Sequence, residues 1–129
     1  MILRAAGIGL VLWLIEIAAL RFAGPAFFTP DWAPSIAAFA VTGIVSALLM
    51  FVILKLLREA HGDEAEAALG VALPGLLLSA MAANLFPSWL PNLDPVLDGV
   101  YGAHMMVQAA AISFTGLFFT KLAAQDERV

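Results

Sequence analysis

The stretch Ser35–Leu57, SIAAFAVTGIVSALLMFVILKLL, decides the fold: its 23 residues carry one charge, Lys55, and no proline. At 1.5 Å per residue a helix of that length reaches about 34 Å, enough to cross the roughly 30 Å hydrocarbon core of a bilayer. Three more runs of the same kind lie around it, at about Ile2–Phe22, Ala67–Phe86 and Val100–Thr120. The first is interrupted by Arg4, Glu16 and Arg21. It also resembles a cleaved signal peptide, with Arg4 ahead of an apolar stretch and Ala23 and Gly24 behind. It is longer than such a segment and contains Glu16, so it reads as a true span.

Composition agrees with four crossings. Of the 129 residues 63% are apolar, about 81 positions, and a crossing needs about 20. Charged residues make up 12%, roughly half the share of a soluble domain. A soluble fold this small has too high a surface-to-volume ratio to hide so much apolar area. A soluble enzyme, a disordered tail and a nucleic-acid binder are thereby excluded. The expectation is an all-α fold, a single integral membrane domain over residues 1–129 built as an antiparallel four-helix bundle in the lipid bilayer.

Basic residues orient the bundle. With four spans, both termini and the middle turn share one side, which holds Arg4, Lys55, Arg58, Lys121 and Arg128 against Arg21 on the other. That asymmetry predicts cytoplasmic termini in a bacterial inner membrane. The middle connection is short: Gly62 suits the left-handed position that ends a helix, and Asp63 with Glu66 has the spacing of a capping box for the next one. The two outer loops differ from it. Six of the seven prolines lie there, at 25, 30, 34, 87, 91 and 95, with Phe27, Phe28, Trp32 and Trp89 among them. Such loops are stiff and poor in donors, and their aromatics fit the interfacial belt. Asp94-Pro95 reads as an N-cap followed by the first helical residue. Asp31, Asp94 and Asp98 give this rim an acidic bias. The two halves, each a span, a Pro/aromatic loop and a returning span, are faintly alike.

Polar groups inside the spans are where chemistry would reside. Glu16 stands five residues before Arg21, which is not a same-face spacing, so it should face the bundle interior or be protonated. In the fourth span Tyr101, His104, Gln108 and Thr115 form one polar stripe. Thr42, Ser79 and Asn84 fall in the same outer half. One reading makes Glu16 and His104 a buried carboxylate–imidazole pair at the centre of this cluster, able to share a proton. The other makes all of these groups interhelical hydrogen-bond glue.

Pro74 removes the backbone bond to the Gly70 carbonyl and, with Gly75, predicts a kink or local unwinding. Broken helices line substrate sites in transporters, and proline kinks are also routine. Gly75, Ser79 and Ala83, and likewise Gly43 and Ala47, are small residues at four-residue spacing that favour close helix packing. The absence of cysteine excludes thiolate sites. His61 lies in the inner turn beyond reach of His104, so no bis-histidine haem joins them, and Met105 and Met106 read as apolar filler. No metal or other cofactor is called for. No metalloprotease, phosphate-loop or Ser/His/Asp spacing is present.

Leu73-Pro74-Gly75, the stretch Phe86-Pro-Ser-Trp-Leu-Pro-Asn-Leu-Asp-Pro95 and Tyr101-Gly102-Ala103 resemble a family of small bacterial four-span membrane proteins of unknown function. The resemblance covers nearly the whole chain, most specifically its second half, and implies the fold but no chemistry. In that family an acidic residue often stands in place of Ser79 and a tryptophan near His104. A weaker resemblance is to the small multidrug-resistance transporters, through a glutamate in the first of four short spans. It implies a coupling role for Glu16 alone, since their glycine/aromatic pattern in span three is replaced here by Pro74-Gly75.

Two functions remain open. One is a non-enzymatic accessory, structural or assembly subunit that packs against itself or a larger membrane complex. The other is a small proton-coupled transporter or permeation unit using Glu16 and His104.

Overall fold

The computed structural model describes residues 1–57 and 62–126, the side chain of Ala123 excepted. Arg58, His61 and Arg128, which enter the charge and haem arguments above, lie outside the described residues. The chain is all-helical: α1 Ile2–Phe27, α2 Ile36–Leu57, α3 Glu64–Asn84, a single turn α4 Phe86–Trp89, and α5 Asp98–Asp126, entered through a 3-10 turn Pro95–Leu97. The four long helices are each apolar and long enough to cross a membrane.

Helix boundaries follow local chemistry. α1 continues past Phe22 and carries Pro25 within its last turn. It stops where the Phe28 N–H closes on the Gly24 carbonyl at 2.7 Å. Ser35 lies just ahead of α2 and its hydroxyl accepts from the Ala38 N–H at 3.1 Å, a side-chain N-cap. Gly62 has φ +107°, the left-handed conformation expected of it. The capping box does not form, because Asp63 makes no side-chain cap. Glu64 accepts from the Gly62 N–H at 2.9 Å, and Thr120 of α5 caps α3 from outside by accepting from the Ala65 N–H at 2.9 Å. Loss of that bond in Thr120→Val should lower stability by about 1 kcal/mol, read from the thermal unfolding midpoint in detergent. An unchanged midpoint would mean the cap contributes nothing. Asp94 caps the 3-10 turn, accepting from the Val96 N–H at 3.1 Å. α3 is unbroken through Pro74, so the expected unwinding is absent. One missing bond is tolerated where neighbouring helices support the backbone.

The long helices pack in the spatial order α1–α3–α5–α2. No interface of comparable closeness joins α1 to α2. The tight contacts depend on glycines other than those expected. A Cβ at Gly9 would run into the Val71 carbonyl, one at Gly70 would lie 2.8 Å from the Ala5 Cβ, and one at Gly116 would strike the Ala68 Cβ. Gly75 and Gly43 make only ordinary contacts, with Trp13 at 3.8 Å and Val107 at 3.5 Å. The close-approach signal was therefore Ala5-x-x-x-Gly9, not the later stripes.

Two apolar clusters fill the bundle. At the turn end, which carries Gly62, side chains of all four long helices meet around Ala5, Met50, Val71 and Ile112. At the other end the connections 28–35 and 85–97 form a first and a second lid; at this lid end Trp13, Leu20, Phe86, Leu90, Leu93 and Tyr101 bury one another, and no residue of α2 belongs to this cluster. α2 is thus built into the core at one end and stands apart from it at the other.

Candidate functional site

The lid-end half of α2 meets α5 at a polar contact. His104, 5% exposed, points from α5 between α2 and the loop ahead of it. Its Nε2 lies 2.8 Å from the Ala33 carbonyl. A carbonyl only accepts, so Nε2 carries a proton and donates. Its Nδ1 lies 2.7 Å from the Thr42 hydroxyl, which in the neutral ring donates to it. Phe39 stacks on the imidazole at 4.4 Å between centroids and Phe28 meets it edge-on at 5.2 Å.

Glu16 is elsewhere. Because α1 runs to Phe27, this carboxylate stands near the middle of the helix, about 21 Å from one end and about 16 Å from the other. It is half-buried, and its Oε2 accepts from the Gln108 Nε2 at 3.3 Å. Glu16 lines a cavity of about 40 Å³ to which all four long helices contribute, Ser46, Ser79 and Gln108 among them. His104 lines a different and larger chamber, of about 230 Å³, at the lid end. The expected Glu16–His104 pair does not form. One helical turn of α5 separates His104 from the residue that reaches Glu16, and the two face different neighbours. Arg21 turns away as well, donating to the Trp89 carbonyl at 2.8 Å.

The other polar groups also divide into pairs. Ser79 accepts from the Trp13 indole N–H at 2.9 Å and the Tyr101 hydroxyl at 3.3 Å. Trp13 escaped the sequence reading, although an indole N–H within a span needs a partner, which was the available signal. Thr115 returns its hydroxyl to the Ala111 carbonyl of its own helix. Asn84 does not join the cluster: it is exposed and donates to the Ala80 carbonyl one turn back. Asp31 and Asp98 are exposed on the rim, and Asp98 accepts from the Gly99 N–H. Asn92 of the second lid donates to the Leu20 carbonyl at 2.8 Å, tying that lid to α1. Among the described residues no group of three or more His, Asp or Glu could hold a metal ion.

A family model described as "Family of unknown function (DUF5367)" matches residues 27–123, about three quarters of the chain. The chain belongs to the DUF5367 family. Within this DUF5367 member the match takes in both lids, α2, α3, most of α5 and the His104 chamber except Leu20, but it leaves out all of the first span before Phe27 and with it Glu16. The family resemblance read from the sequence is thus upheld, over a stretch shorter than the nearly whole chain expected. No curated protein and no solved structure matches the chain, so the likeness to small multidrug-resistance transporters gains no support.

Proposed function

We propose that this DUF5367 member is a non-enzymatic structural or assembly subunit of the bacterial inner membrane, with both termini and the Gly62 end of the bundle on the cytoplasmic side. One observation carries this reading. Seven polar side chains of the spans form ties between helices: Trp13 to Ser79, Tyr101 to Ser79, Gln108 to Glu16, and His104 to Thr42. Such ties are typically worth about 0.6 to 2 kcal/mol each in a membrane bundle, and here they connect every packed helix pair as well as α1 to α5. Acid and base are kept in separate cavities, an arrangement suited to holding helices together rather than to passing a proton. The bias of basic residues toward the turn end supports the orientation. A second copy of the chain or a larger membrane complex is the partner.

A proton-coupled permeation unit is favoured by one feature, the cavity beside Glu16, which has room for a few water molecules. Glu16→Gln separates the two readings. In proteoliposomes with a trapped pH indicator, the structural reading expects equal proton flux for wild type and variant, with a lower unfolding midpoint for the variant. A wild-type flux that Glu16→Gln abolishes, with the oligomer intact, would overturn it.

A further inference from the structure

The chamber beside His104 has walls from Leu20 and Phe27 of α1, Trp32 of the first lid, and Ala38 and Val41 of α2. Inside the chamber the polar groups of Thr42, His104 and the Ala33 carbonyl bond one another or their own helix, and the Trp32 indole stands at the exposed rim. Among the described residues no buried side-chain nitrogen or oxygen lacks a partner. Water entering the chamber would not find the two to four free polar partners that hold a buried water, whereas an apolar cavity of only about 150 Å³ stays dry and takes a benzene-sized guest. A space of about 230 Å³ with this lining calls for an apolar occupant.

The mouth of the chamber indicates which one. The lid-end core contains no residue of α2, so the chamber lies in the seam between α1 and α2. Phe27 and Val41 flank that seam at 63% and 51% exposure. In a membrane-spanning bundle Val41, more than a turn into α2, faces lipid tails, and Phe27 at the end of α1 stands where tails meet headgroups, so the mouth of the chamber opens toward the bilayer. Trp32, 45% exposed, stands on the rim in a loop whose aromatic rings suit headgroup depth. We infer that this chamber is a binding site for one acyl chain of a membrane phospholipid, which enters between α1 and α2 and completes the lid-end core that α2 leaves open. The inference is independent of any role for Glu16.

Brominated phospholipid tests it, because bromine on an acyl chain quenches a tryptophan it touches. The chain is reconstituted in phosphatidylcholine vesicles brominated at mid-chain, and the Trp32 signal is taken as the difference between wild type and Trp32→Phe. Ala38→Phe fills the chamber from α2, and Val41→Trp narrows its mouth should the first variant fold poorly. Leu48→Phe, at a lipid-facing position outside the chamber, is the control. The expected result is that quenching of Trp32 falls at least twofold in the filled or narrowed variant and is unchanged in the control. Native mass spectrometry of the same samples should find one phospholipid retained by wild type and lost with the filling substitution. Equal quenching in all variants, or retention of detergent with no lipid by wild type, would overturn the assignment.

Discussion

Gly9→Ala should be among the most damaging single substitutions in this chain. The added methyl would overlap the backbone carbonyl of Val71, which no rotamer change can move, so α1 must be pushed away from α3. Overpacking of this kind costs about 1 to 3 kcal/mol, and rigid backbone on the receiving side puts Gly9 at the upper end. Gly7, two residues earlier on the same helix, is exposed and has nothing within 4 Å of the added Cβ. Gly7→Ala should therefore be neutral or stabilising by up to about 1 kcal/mol through helix propensity alone. Reversible unfolding in mixed micelles reads both values. Effects of the same sign at the two positions would mean that the α1–α3 approach is not what Gly9 provides.

His104→Leu is expected to have the next largest effect. It leaves the Ala33 carbonyl without its donor and removes the ring on which Phe39 and Phe28 pack. Leaving a buried polar group unsatisfied costs about 1 to 3 kcal/mol. The effect should also be local. The turn end of α2 is anchored in an apolar cluster shared by all four long helices, whereas its lid end is not. The first lid and the start of α2 should loosen while the rest of the bundle holds. Because the native chain has no cysteine, a single Ala37→Cys, at an exposed position in the first turn of α2, reports this cleanly. Its reaction with a membrane-impermeant thiol reagent should speed up several-fold in the His104→Leu background. If labelling stays unchanged while global stability falls, His104 acts as ordinary core packing and not as the tie between the lid and α5.

These expectations concern contacts that were only partly legible in the residues. The four crossings were legible because hydrocarbon allows few polar interruptions in about 20 consecutive residues. Gly62, Asp94 and the two proline-rich lids were legible because each is a local device, with its partner a few positions away. The far end of α1 was placed five residues short, since Arg21 and Pro25 looked like an exit and the helix absorbs both. The capping of α3 was misread for a different reason: its partner, Thr120, is more than fifty residues away in sequence. Glu16 was recognised as the unusual residue of the membrane interior, but its neighbour was mistaken by one helical turn.

What the sequence determined by itself, then, was the architecture set by the solvent: four apolar helices, a short connection at one end and stiff aromatic loops at the other. Only the tertiary structure decided which helices touch. The order α1–α3–α5–α2 places Gln108 rather than His104 opposite Glu16, gives His104 to Thr42 and Ala33, and leaves α2 outside the lid-end core. The physical reason is that burial in lipid constrains each span separately. Lipid tails are as apolar as leucine, so pairing between helices rests on backbone approach at a few glycines and on single hydrogen bonds. Those depend on axial offset and rotation, to which a pattern of apolar residues along one span is almost blind.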